Sequence, residues 1–197
     1  MKTMEKRTLV TQKAEFRATE DEEQLHLRGY FIVFNSETNL FDNYFEQVAP
    51  NAIDDDIQEQ DVRALFDHDT AKVLGRTVAG TLALTKDKHG LIGDIIVNRD
   101  DPEAMSVYQK VKRGDVSQAS FGFYITGSDD EQRDDGSWHT TITGIQLFEI
   151  SIVTFPAYSD TEIGARAKDV EQLKRERFER RKNNLKKELE EKWKIQS

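Results

Sequence analysis

The amino-acid sequence predicts a mainly β protein with few helices, and three observations carry that expectation. Apolar residues recur at the strand period of two in run after run between residues 13 and 154. The runs are parted by turn-forming clusters such as Asp87-Lys88-His89-Gly90 and Asp134-Asp135-Gly136-Ser137. Only the segment 102–113 interrupts them with a strong helical period.

The elements follow in order. Residues 13–18 and 25–34 read as two strands joined by the polar Thr19-Glu20-Asp21-Glu22-Glu23 turn, hence a hairpin. A short helical turn over 51–58 sets Ile53 and Ile57 one turn apart, and 62–66, 81–85 and 91–98 are further strands. At 102–113 either Asp100 or Asp101 can cap, Pro102 suits the first turn and Gly114 supplies the stop. Ala104, Val107, Tyr108 and Val111 recur there at i, i+3, i+4 and i+7. Strands return at 117–126, 138–145 and 147–154, giving a mainly antiparallel domain.

The composition breaks near Arg166. Residues 167–197 hold 11 basic and 7 acidic side chains, whereas the whole chain of 197 residues carries a net charge of -9. This last segment has no Gly or Pro, Asp169 can cap it, and Phe178, Leu185, Leu189 and Trp193 form a narrow stripe. We therefore expect a domain over 1–166 and a charged C-terminal helical tail over 167–197. That helix could pack on its own domain, or serve self-association or scaffold docking.

Composition also removes function classes. With no Cys, a disulfide framework, a thiolate nucleophile and a Cys-ligated metal are excluded. No run approaches the ~20 apolar residues of a membrane-spanning helix, and the opening residues lack a signal-peptide pattern, so a soluble chain without a membrane partner is expected. The net negative charge argues against direct nucleic-acid binding. No cofactor or metal is implied.

Two segments carry candidate chemistry. Of the four histidines, His26 lies within a strand, His89 in a turn and His139 at a strand start, all ordinary places. His68 differs: it follows the apolar run Ala64-Leu65-Phe66, where a strand leads into a loop, between Asp67 and Asp69, whose charges favour an imidazolium. A metal-dependent hydrolase built on these three residues is disfavoured, because neighbours on a strand point to opposite faces. In Val116-Ser117-Gln118-Ala119-Ser120-Phe121-Gly122-Phe123-Tyr124-Ile125, alternation puts Ser117, Ala119, Phe121, Phe123 and Ile125 on the core face. Ser120 then points the other way, beside Gly122, which has no side chain to block a substrate.

These motifs, taken together, resemble the tailed-bacteriophage prohead (capsid maturation) proteases. The resemblance rests on Phe45-Glu46-Gln47-Val48-Ala49-Pro50-Asn51-Ala52-Ile53, on Ala64-Leu65-Phe66-Asp67-His68-Asp69 with Val73-Leu74-Gly75-Arg76-Thr77, on Ala119-Ser120-Phe121-Gly122-Phe123, and on Phe148-Glu149-Ile150-Ser151-Ile152-Val153-Thr154-Phe155-Pro156-Ala157-Tyr158. It covers about residues 7–166. That family is similar in fold to the herpesvirus assembly proteases, which implies a closed or partly closed antiparallel β-barrel-like core surrounded by helices. It further implies a serine endopeptidase with Ser120 as nucleophile, His68 as general base and Glu149 as the orienting third member, His139 being the substitute for Glu149. Alternation sets Glu149, Ser151 and Val153 on one face, and Phe148, Ile150 and Ile152 on the other. The oxyanion donors stay open: Arg76 is one candidate, and Phe155-Pro156-Ala157-Tyr158 stands where the herpesvirus relatives carry an arginine segment. The implied substrates are scaffold and capsid-protein segments, and the chain itself, cleaved in the host cytoplasm inside the assembling procapsid. A non-catalytic capsid or scaffold assembly module of the same fold is the alternative.

Overall fold

The computed structural model describes residues 6–11, 17–20, 24–41 and 43–155. The chain divides into two compact units, Met1–Ala157 and Tyr158–Ser197. The expected tail helix and the boundary at 166/167 lie outside the described residues.

Eleven strands and one α-helix make up the described part. They are β1 (Lys6–Thr11), β2 (Arg17–Glu20), β3 (Leu25–Val33), β4 (Thr38–Phe41), β5 (Tyr44–Val48), β6 (Arg63–Phe66), β7 (Asp69–Arg76), β8 (Leu82–Lys86), β9 (Gly90–Val97), α1 (Pro102–Arg113), β10 (Gln118–Gln132) and β11 (Trp138–Val153). Single 3₁₀ turns occupy Pro50–Ala52, Ile57–Glu59 and Thr77–Ala79, so the turn expected over 51–58 is two tighter ones. No described helix is long and apolar enough to cross a membrane.

The strands form two sheets. The larger runs β1-β10-β11-β5-β4, with β6 also on β11 and β7 on β6; the smaller runs β2-β3-β9-β8. Neither closes on itself among the described residues, which corrects the barrel-like expectation, and one α-helix does not surround the core. β10 pairs with β11 along its whole length, whereas the far edge of β11 is shared by β5, parallel over Trp138 to Ile142, and β6, parallel over Glu149 to Ile152. These parallel pairs make the sheet mixed rather than antiparallel. The two strands expected at 138–145 and 147–154 are this one strand, because Gln146 stays in the ladder opposite Tyr124.

Local sequence accounts for the rest. The helix keeps its expected bounds: the Asp101 carboxylate accepts from the Glu103 N–H at 2.9 Å, and the stripe Ala104, Val107, Tyr108 and Val111 is buried. Strand β7 escaped the sequence reading because it is an edge strand whose first half is exposed, with no alternation to betray it.

The sheets meet through large side chains against a gap. Phe31 of β3 and Ile150 of β11 are fully buried and both close on Gly93 in β9, where an added Cβ would lie 2.5 Å from the Phe31 ring and 2.9 Å from Ile150 Cδ1. Gly93→Ala should therefore cost about 1–3 kcal/mol by overpacking. A lower urea midpoint at unchanged slope is the expected reading.

Candidate active site

Five strands and a turn bring the candidate residues together. At one level the larger sheet reads Val10, Ser120, Ser151, Leu65 and Val73 across β1, β10, β11, β6 and β7. Directly paired residues of an antiparallel ladder share a face, so Ser120 lies with Ser151, and Gly122 with its partner Glu149.

His68 reaches this face from the side. It is not at an open strand end, since Phe66 pairs with Asp69 and leaves Asp67-His68 as a two-residue hairpin turn. Both residues have positive φ, 52° and 58°, the pattern of a type I′ turn. Such backbone costs about 1–3 kcal/mol per non-Gly residue, and Asp and His tolerate it better than most. Five hydrogen bonds hold it. The Asp67 N–H donates to the Ile152 carbonyl at 2.9 Å, and the Asp67 carboxylate accepts from the Thr154 N–H at 2.7 Å and its hydroxyl at 3.0 Å. The His68 N–H donates to Ser151 Oγ at 3.3 Å, and His68 Nδ1 lies 2.7 Å from Glu149 Oε1.

The carboxylate beside His68 is thus that of Glu149, 81 positions away, rather than those of its sequence neighbours. Asp67 is spent on Thr154, and Asp69 accepts from Ala71 N–H and pairs with Lys72. Glu149 is buried, and its second oxygen accepts from the Ser151 hydroxyl at 2.7 Å. An ionised carboxylate only accepts, so Nδ1 carries the proton, and in the neutral imidazole Nε2 then presents its lone pair. Burial of the charge is made tolerable by these two donors.

Space for Glu149 comes from two features. The ladder slips between Gly122/Glu149 and Phe123/Leu147, leaving Phe148 as a bulge residue. This overturns the simple alternation at Phe148, whose ring joins the Glu149 face, 5.2 Å from that of Tyr124. An added Cβ at Gly122 would overlap Glu149 Oε1 and come within 2.7 Å of the Phe148 ring. Ser151 and Gly122 are thus parts of the site that were not singled out for positioning Glu149, although both lie one strand step from a candidate residue.

Ser120 is on the right face, yet it is not bonded to His68. Fully buried, it donates its hydroxyl to the Leu9 carbonyl of β1 at 2.7 Å. His68 Nε2 is buried without a hydrogen-bond partner among the described residues. Beside the turn, a groove of about 360 Å³ opens between β7 and α1, with Phe66, Val73 and Val107 in its walls. Lys72 and Lys110 flank the Phe66 ring, at 6.0 and 5.3 Å from its centre.

The remaining candidates fall elsewhere. Arg76 forks onto Asp61 at 2.6 and 2.7 Å, and this guanidinium holds the Asp61 carboxyl below its usual range. His139, near the opposite end of β11, bonds Glu37 at 2.7 Å and Ser137 Oγ at 2.9 Å and stacks on Phe45. It has no part in orienting His68. Its cluster has the members of a Ser-His-acid relay, but Ser137 donates to Asp135 at 2.5 Å. The Ser137 hydroxyl proton is thus directed at Asp135 and not at the imidazole, the reverse of what a nucleophile needs.

A hydroxyl, an imidazole with its lone pair free and a buried carboxylate on one face are the functional groups of a serine hydrolase. The chain belongs to the caudovirus prohead serine protease family, whose sequence model matches residues 12–176, and it is thus a bacteriophage capsid-maturation protease. A similar solved structure is that of the bacteriophage T4 capsid assembly protease, gp21, at 12% identity over 77% of this chain and 99% of that chain, with a TM-score of 0.49. No curated protein matches the chain significantly.

Gly122→Ala should push the Glu149 carboxylate off His68 and lower kcat by about 100-fold, the scale of a 1 Å misplacement. An unaltered KM and circular dichroism spectrum would locate the loss in the positioning of His68.

Proposed function

We propose that this protein is a serine endopeptidase in which Ser120 is the nucleophile, His68 the general base and Glu149 the group that orients and stabilises the imidazole. The observation that carries this reading is the 2.7 Å bond between His68 Nδ1 and the buried Glu149 carboxylate, on the face that Ser120 shares. The bond leaves Nε2 as the proton acceptor.

In the reaction, Ser120 Oγ attacks the carbonyl carbon of the scissile bond while its proton passes to His68 Nε2. Nδ1–H continues to donate to Glu149, which stabilises the imidazolium. Collapse of the tetrahedral intermediate breaks the C–N bond as Nε2–H protonates the leaving amine. Water then gives up a proton to Nε2 and attacks the acyl-serine ester, releasing the acid and restoring the hydroxyl. The substrates we assign are segments of the scaffold and capsid protein, and of this chain, cleaved inside the assembling procapsid in the host cytoplasm.

Co-expression with scaffold and capsid protein, read by mass spectrometry of the products, tests the roles. Ser120→Ala and His68→Ala should abolish cleavage, and Glu149→Gln, which disturbs the tautomer, should lower it by about 10⁴-fold. Ser137→Ala should leave it unchanged. A non-catalytic assembly module of the same fold would give the same products with every variant.

A further inference from the structure

Ser120 and His68 each lack what the other would supply. The single hydroxyl proton of Ser120 goes to the Leu9 carbonyl, while the buried Nε2 of His68 has no partner among the described residues. What stands between them and the usual relay is β1. Its backbone pairs antiparallel with β10, Thr8 opposite Gly122, Leu9 opposite Phe121 and Val10 opposite Ser120. Among the described residues β1 pairs with no other strand, so it is the edge of the sheet.

An extended backbone, laid along the strand that carries the nucleophile and offering a carbonyl to its hydroxyl, is what a protein substrate would bring. We propose that β1 holds the substrate's strand position on β10, and that a peptide substrate binds by displacing β1 and pairing antiparallel with residues 119–124. The proposal rests on Ser120 being the nucleophile. The other edge of β10 is taken by β11, so this is the one edge a peptide can use. An incoming strand remakes the row of main-chain bonds that β1 gives up, leaving selectivity to the side chains. With the Leu9 carbonyl gone, the Ser120 hydroxyl is released to turn toward Nε2, the acceptor that the Glu149 bond fixes. Because β1 is tethered, it competes at the millimolar effective concentration typical of short intramolecular links. A dilute substrate loses that competition, and a substrate densely packed around the enzyme wins it.

The test uses the full chain, whose lack of cysteine makes an engineered pair the sole disulfide. Lys6→Cys with Tyr124→Cys joins two directly paired residues away from Ser120. Labelling of Ser120 by a fluorophosphonate is followed in the oxidised and reduced forms, with wild type as control. The oxidised form should label at least about tenfold more slowly than the same variant reduced, following the loss of the competent fraction. Equal rates in both forms, with labelling at Ser120, would overturn the proposal and leave the nucleophile assignment standing. A second arm adds the hexapeptide Lys-Arg-Thr-Leu-Val-Thr to a chain lacking residues 1–11, which should label faster than wild type until the peptide is supplied. Absence of labelling in every form, the shortened chain included, would remove the Ser120 assignment itself and the proposal with it. If the shortened chain does not fold, the disulfide pair alone decides.

Discussion

The site depends on one strained turn being pinned to one long strand. Asp67 and His68 both stand in the left-handed region, and a two-residue hairpin of that kind prefers Asn-Gly or Asp-Gly. What keeps two side-chain-bearing residues there is the parallel pairing of β6 with the last third of β11, which sets Ile152, Thr154, Ser151 and Glu149 within reach of the turn. The strain is therefore local, and the surrounding bonds over-determine it. Swapping either residue for glycine would ease the backbone but remove the Thr154 clamp in one case and the imidazole in the other.

The legible part of this molecule was the part written in local patterns. The helix over 102–113 could be read because its cap, its proline, its stripe and its glycine all agree, and Ser120 could be set on its face because β10 keeps the period of two. The illegible part was set by pairing between distant segments. Nothing near His68 in sequence indicates that its carboxylate partner is Glu149, which only the family resemblance implied, because the acids beside it, Asp67 and Asp69, are the more obvious choice and are spent on other groups. The displacement of Phe148 comes from a slipped ladder, and the mixed sheet from β5 and β6 sharing one edge of β11. Both depend on which strands meet, and a single sequence does not state that.

The two serine–histidine–acid groupings of the described residues show why bond direction matters more than proximity. Ser137, His139 and Glu37 form an unbroken chain of hydrogen bonds, yet the hydroxyl proton leaves toward Asp135. Ser120, His68 and Glu149 form a broken chain, yet its histidine has the tautomer that accepts a proton. A relay in which every link is made can be chemically idle, whereas one with a missing link can be a poised one. The missing link is the informative feature, since a buried imidazole nitrogen without a partner costs about 1–3 kcal/mol and needs a reason to persist.

Burial gives that reason a direction. Ser120 and Ser151 are fully enclosed and Glu149 nearly so. In such surroundings charge interactions are stronger than in water, which favours the imidazolium–carboxylate pair that forms when the base takes a proton. The same enclosure denies a substrate direct access to the hydroxyl. A surface cleft would solve access by exposing the residues to water and weakening their interactions. Exchange of one edge strand for another solves it differently, since the incoming backbone replaces the outgoing one and can keep the interior dry. The price of that arrangement would be a resting state in which the proposed nucleophile is bonded to the wrong carbonyl, and Ser120 is found donating to that of Leu9.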